Sequence, residues 1–247
     1  MPCPRAGDYE GEATMILVAD AHISAEPGGD RSFVEFLSAL SATEHDVLFL
    51  GDIFDLWVGF PRYEGDAHRA FLSWCLSERP RRRIWYVEGN HEYFVSSTHR
   101  SVFSGCDPEE LSFPGAVLAV HGDAIDRGNR SNLFFRYISK SILGHLVLRF
   151  LPFGPAFALG VKGFLNARDS GCGSFFADGP IRAFANDRFA QGTRTIFVGH
   201  YHKAFEYGDG AGGRLYVVPA WCDSESVGLY NADTGAVCFG RWQALLE

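Results

Sequence analysis

The chain has 247 residues, 47% hydrophobic and 15% aromatic, enough to bury a full core in one domain of ordinary size. Its net charge of -8 speaks against a dedicated nucleic-acid binder, which carries a basic excess. Six scattered cysteines without a CxxC pair point to reduced thiols rather than a zinc ribbon or a disulfide framework.

The first residues, MPCPRAGDYEGEAT, lack the apolar run of a signal peptide. The best candidate for a membrane span, Phe150 to Val161, has 12 residues and two prolines. A spanning helix needs roughly 20 apolar residues, so the expectation is a soluble or peripheral protein.

In chain order, short apolar runs alternate with helical spacing. MILVA (15–19) reads as a buried strand and is followed by Asp20 and His22. Phe33 to Leu40 has helical periodicity. DVLFL (46–50) is the next strand and leads into Gly51, Asp52 and Asp55. Ala67 to Leu76 is again helical. RIWYV (83–87) leads into Gly89, Asn90, His91 and Glu92. AVLAV (116–120) leads into His121, Gly122 and Asp123. TIFV (195–198) leads into Gly199, His200 and His202. The pieces GRLYVVP and SVGLY beyond Tyr201 read as antiparallel strands joined by tight turns. The alternation predicts an α/β protein with a largely buried sheet.

The stretch from Arg127 to Arg168 has no Asp and no Glu, seven basic residues and seven aromatics. It reads as mostly helical and falls between two predicted strands, so it is expected to be a cap inserted into the α/β core. A basic, aromatic cap suits an anionic substrate with an apolar part. Most of its Phe residues, taken singly, are better explained as packing the cap's own core. The one-sided charge is harder to explain that way, because ordinary surface helices mix both signs.

Five predicted strands thus end in Asp, Asn or His, and ligands of open α/β sheets bind outside the carboxyl ends of strands. Imidazole, carboxylate and amide oxygen suit first-row metals such as Mn, Fe, Zn or Ni. Five of the nine histidines sit in these loops. His45, His68, His99 and His145 have no such setting and are expected on the surface or in the core. Each fragment alone is common by chance. Five in order, each after a strand, are not.

The series DAH, GDIFD, GNHE, HGD, GHYH resembles the calcineurin-like metallophosphoesterases, over nearly the whole chain from Met15 to about Phe239. The resemblance implies a four-layer αββα sandwich, one domain over 1–247, with the helical cap inserted at about 127–170. It implies two divalent ions. Asp20, His22 and His202 would hold the first, and Asn90, His121 and His200 the second, with Asp52 bridging. Asp52 and Asn90 would thereby share in catalysis with His91, which would contact the phosphate or leaving group. Asp55 and Glu92 would orient histidines or loops. Asp123 serves either in that way or as a turn cap. Manganese is the expected metal, with Fe, Zn and Ni as alternatives. In that chemistry two ions clamp the phosphoryl group and activate a bridging water.

Within the superfamily, three features resemble the UDP-2,3-diacylglucosamine hydrolases of lipid A synthesis. HGD leads into a long basic insert, the insert carries LVLRFLPFG, and VVPAWCDSESVGLY follows GHYH. This implies an anionic nucleotide-linked glycolipid substrate, hydrolysed at its pyrophosphate to UMP and a diacylated sugar phosphate. It also implies a cytoplasmic protein in peripheral contact with the inner membrane through the cap, and no nucleic-acid partner. Asn129, Arg130, Lys162, Asn166 and Arg168 are candidates for head-group contacts. The alternative is a general phosphoesterase acting on nucleotides, phosphoproteins or other phosphoesters. A scaffold that had lost catalysis would have lost ligands, and all seven are present.

Overall fold

The computed structural model describes residues 14–24, 31–125, 146, 149–150 and 178–246. Most of the expected cap, including Asn129, Arg130, Lys162, Asn166 and Arg168, lies outside the described residues.

β1 (Thr14–Val18) is buried along its whole length. Its side chains alternate between two cores, as the period of two of a strand requires. Ile16 and Val18 join one apolar cluster with Phe33, Phe36 and Leu40 of α1 (Arg31–Ser41), Phe71 and Leu72 of α2 (Asp66–Glu78) and Val95 of α3 (Val95–Thr98). Met15 and Leu17 join a second cluster with Val117, Ala119, Phe197 and Val218. β2 (Asp46–Phe49) does the same, with Val47 and Phe49 toward the helices and Leu48 toward the second cluster.

On the far side, β8 (Val117–Val120) and β9 (Thr195–Val198) alternate in turn. Val117, Ala119 and Phe197 face the second cluster. Leu118, Val120, Ile196 and Val198 face a third, built with Ile181 and Ala185 of α4 (Asp178–Ala190). Helices, sheet, sheet and helix therefore stack as four layers, the αββα arrangement expected. Strands buried on both faces read as continuous apolar runs, which is why these were visible in the sequence.

The first sheet also contains β4 (Ile84–Val87), β6 (Gly105–Asp107), β12 (Ser226–Asn231) and β13 (Val237–Arg241), in the order β13-β12-β1-β2-β4-β6. The second adds β7 (Glu110–Phe113), β10 (Phe205–Gly208) and β11 (Arg214–Val217), in the order β10-β11-β9-β8-β7. A two-stranded pair, β3 (Trp57–Val58) and β5 (Glu92–Tyr93), lies between the loops. β1, β2, β4 and β6 run parallel, as do β8, β9 and β11. The carboxyl ends of the motif-bearing strands therefore share an edge within each sheet.

The segments GRLYVVP and SVGLY lie in antiparallel pairs as expected, β10 with β11 and β12 with β13, but they do not share a sheet. β11 pairs parallel with β9, and β12 pairs antiparallel with β1 in the other sheet. The short helix α5 (Trp221–Ser224) stands between them, anchored by Trp221, whose ring is fully buried against Phe33 and Phe36. Cys75, Cys106 and Cys222 are free thiols, whereas Cys238 is disulfide-bonded, which corrects the expectation of reduced thiols alone.

β8 and β9 are hydrogen-bonded neighbours, so the chain between them leaves and re-enters the same sheet at adjacent positions. No helix among the described residues is long and apolar enough to cross a membrane.

Candidate metal centre

The loops after β1, β2, β4, β8 and β9 meet at one place, and the backbone there is strained. Eight described non-glycine residues have positive φ, and five of them are Asp20, His22, Asp52, His200 and His202. Each such residue costs on the order of 1 kcal/mol or more, and such strain clusters at functional sites. Backbone bonds between neighbouring loops hold it: Asp20 N–H donates to Gly51 O at 3.1 Å, and His22 N–H to Asp52 O at 3.0 Å.

Two glycines let the loops close. Gly51 has φ +85°, and a Cβ there would lie 2.6 Å from Gly89 N and 2.7 Å from the His121 ring. A Cβ on Gly89 would lie 2.6 Å from Asp52 N and closer still to its carboxylate. Both positions need the missing side chain because the Asp52 and Asn90 loops touch.

Asp20 is fully buried. Its Oδ2 accepts the His200 N–H at 2.8 Å, whereas Oδ1 is buried with no hydrogen-bond partner. A buried carboxylate oxygen without a donor costs a few kcal/mol unless a cation meets it. What faces Oδ1 is His202 Nε2 at 3.7 Å, and ligand atoms of Asp20, His22 and His202 all lie within 4.8 Å of one another.

A second group forms around Asp52, His121 and His200, again within 4.8 Å. His121 Nδ1–H donates to the Leu50 carbonyl at 2.7 Å, so its Nε2 points inward. There it meets Asp52 Oδ2 and Asn90 Oδ1, each at 3.3 Å. Burial alone would lower the pKa of His121, but the Asp52 carboxylate outweighs it and holds the ring up to about 10. Burial would likewise raise Asp52, yet His121, His91 and His22 keep it well below the usual carboxylate range. His200 is pushed down by burial and by the charge on His121. The carboxylates around His121 thus make this a point of strong negative potential, which suits a divalent cation.

Asp52 belongs to both sides. It stands within 4.8 Å of His22 and His91 as well as of His121 and His200. His91 lies beside the first group, its ring edge-on to His22 at 4.9 Å. Its N–H donates to Asp52 Oδ1 at 2.9 Å, and its Nδ1–H to the backbone carbonyl of Asp55 at 2.7 Å. Asp55 therefore meets the histidine through its main chain. Glu92 orients loops: its carboxylate accepts Ile53 N–H at 2.8 Å and Gly89 N–H at 2.7 Å, and also the Tyr86 hydroxyl. Asp123 is half-buried after β8, and its charge favours the protonated forms of His121 and His200.

Residues without a motif also take part. Tyr86 reaches Glu92 from inside β4. Cys222 N–H donates to Asp20 O at 3.1 Å. Asp223 Oδ2 lies 3.4 Å from His202 Nδ1, and Cys222 Sγ lies 3.8 Å from the same nitrogen. Burial and the Asp223 and Asp20 carboxylates push the Cys222 thiol up to about 12.

The donor set suits two ions. It comprises imidazole, carboxylate and amide oxygen, with an orphaned Asp20 oxygen on one side and an inward His121 nitrogen on the other. Asp20, His22 and His202 could hold one ion, and Asn90, His121 and His200 the other, with Asp52 between them.

The profile of the calcineurin-like phosphoesterases matches residues 13–204. A UDP-2,3-diacylglucosamine hydrolase of Stutzerimonas stutzeri is 32% identical over 150 residues, 56% of this chain and 60% of that protein. The enzyme of that name in Pseudomonas syringae is 27% identical over 228 residues, 81% of this chain and 86% of its own. Among solved structures, a dimetal phosphatase from Danio rerio is 16% identical, with a TM-score of 0.46, covering 89% of this chain and 93% of that one.

Proposed function

The chain belongs to the calcineurin-like phosphoesterase family, and from that premise we propose that it hydrolyses the pyrophosphate of UDP-2,3-diacylglucosamine, releasing UMP and 2,3-diacylglucosamine 1-phosphate. The observation that carries the metal-dependent chemistry is the buried Asp20 Oδ1 without a donor, facing His22 and His202. The substrate rests on the names of the relatives and on the basic stretch from Arg127 to Arg168.

In this reading Asp20, His22 and His202 hold one divalent ion, Asn90, His121 and His200 hold a second, and Asp52 serves both. Once bound, the pair supplies Lewis acidity toward the phosphoryl oxygens and a water activated for in-line attack. The protein's part is positional. The Leu50 carbonyl fixes the His121 tautomer, and the Asp55 carbonyl fixes that of His91. His91 Nε2 is then the atom that meets a phosphate or leaving-group oxygen. Glu92 keeps the Asp52 and Asn90 loops at one spacing.

Manganese is the metal we assign, because carboxylate and amide oxygens favour a hard ion. We assign the chain to one domain, with residues of about 127–170 as a cap that receives the anionic glycolipid. Asn129, Arg130, Lys162, Asn166 and Arg168 are proposed for its head group. The cap would rest on the cytoplasmic face of the inner membrane. Phe150 is 70% exposed beside Arg149, which suits an anionic lipid surface, and the net charge of -8 offers nucleic acid no comparable footing.

The test is a manganese-supplemented assay on UDP-2,3-diacylglucosamine in mixed micelles, run beside a p-nitrophenyl phosphate ester. UMP release far above the generic rate supports the assignment. Turnover of the generic ester alone would retain the metal centre and discard this substrate.

A further inference from the structure

Next to the metal centre, three side chains with metal-ligating chemistry converge without belonging to either ion group. His202 Nδ1, Cys222 Sγ and an Asp223 oxygen all lie within 4.8 Å of one another. We propose that His202, Cys222 and Asp223 form a separate site for a thiophilic divalent cation such as zinc, which shares His202 with the metal centre.

The distances between the three side chains support this. Nδ1 to Sγ is 3.8 Å, Nδ1 to Asp223 Oδ2 is 3.4 Å, and Sγ to Asp223 Oδ1 is 3.8 Å. A tetrahedral zinc with bonds of about 2.3 Å to sulfur and 2.0–2.1 Å to nitrogen and oxygen has edges of roughly 3.6 and 3.4 Å. The Nδ1–Sγ edge is therefore near that of a tetrahedral zinc, and the Asp223 carboxylate, which turns a different oxygen to each partner, has one oxygen within 4.8 Å of both before any ion draws it in.

The placement is built by the fold. Cys222 and Asp223 sit on α5, whose start is tied to the end of β1: Trp221 N–H donates to Ala19 O at 2.9 Å, and Cys222 N–H to Asp20 O at 3.1 Å. The same β1 end carries Asp20, so the thiol and the metal centre share one anchor. His202 lies between them, with Nε2 toward Asp20 and Nδ1 toward Asp223. Cys222 and Asp223 are exposed, which leaves an entry path and room for a water as fourth ligand.

The chemistry selects the cation. Thiolate suits zinc, cobalt or cadmium and does not suit manganese or magnesium, so a hard ion does not itself occupy the site. As the sulfur–metal bond forms, the thiol proton leaves to solvent. A neutral imidazole offers one lone pair. A cation on Nδ1 therefore competes with the Nε2 contact that the first ion needs. Excess thiophilic metal should then lower turnover, a consequence that rests on the proposed metal centre, whereas binding itself does not.

The protein, loaded with two equivalents of manganese, is titrated with cobalt(II) while near-ultraviolet thiolate-to-cobalt absorption is recorded. A band that saturates at one further equivalent is expected, lost in Cys222→Ser and at least tenfold weaker in affinity in Asp223→Asn. A wild type with no thiolate band, or an equal band in Cys222→Ser, overturns the site. The reading needs no turnover, so an error in the substrate leaves it interpretable. In a second measurement, zinc inhibition of manganese-supported hydrolysis of a generic phosphoester should require at least tenfold more zinc in Cys222→Ser. Equal sensitivity would overturn the sharing of His202.

Discussion

Asp20 and His200 are 180 residues apart in sequence, and the Asp20 carboxylate accepts the His200 N–H at 2.8 Å. One oxygen of that carboxylate thus ties the first sheet to the second, and the other faces His202 without a donor. The same side chain closes the sandwich edge and presents a ligand atom. Changes at the centre should therefore affect stability and metal binding together.

Asp52 shares one group of ligand atoms with His22 and His91 and another with His121 and His200. Asp52→Ala is expected to lower turnover by about a thousandfold or more, and to reduce bound metal below two per chain by elemental analysis. Turnover near the wild-type rate would sink the dinuclear assignment.

His91 is expected to act on substrate rather than on metal. Its Nδ1 is committed to the Asp55 carbonyl. His91→Ala should cost about a hundredfold in turnover while two metals per chain remain. Loss of one metal in that variant would make His91 a ligand instead.

Gly89 separates two loops that have no room for a methyl group. Gly89→Ala would set its Cβ 2.6 Å from Asp52 N, a backbone atom that cannot swing aside. Overpacking of this kind costs about 1–3 kcal/mol. A lower thermal midpoint with weakened metal binding is the expected pair of results. An unchanged midpoint would show that the two loops are not in contact.

His68 provides a pH dependence away from the centre. It is buried against Phe54 and Trp57, its Nδ1 accepts the Gly65 N–H at the start of α2, and burial pulls it down to about 4 from 6.5. The folded ring is thus neutral where the unfolded one gains a proton. Its contribution is full above pH 6.5 and is lost as pH falls toward 4, at up to about 1.4 kcal/mol per pH unit. Urea midpoints at pH 7 and pH 5 should differ more in the wild type than in His68→Phe. Equal differences would mean that His68 is protonated in the folded state.

How far the sequence could be read depended on how local each signal was. Ile16 and Val18 face one core and Met15 and Leu17 the other. A strand buried on both faces is an uninterrupted apolar run, and a run can be read without knowing its partners. The ligand candidates were visible because each follows such a run directly. By contrast, β3, β5 and β6 are two or three residues long and have no periodicity to detect. The role of Asp55 passes through a carbonyl that every residue has, so no residue type announces it. Tyr86 looked like one more apolar residue of β4 until its hydroxyl met Glu92.

The sequence by itself determined the α/β class, the five loops and the kind of chemistry their side chains can do, because strand periodicity and ligand identity are properties of short segments. The tertiary structure alone decided which ligand atoms share a point in space. It sent β11 to β9 and β12 to β1 in separate sheets, joined Asp20 to His200, and set Cys222 and Asp223 against His202. Those outcomes depend on backbone pairing between distant segments, and no local pattern encodes the direction in which a side chain will then point.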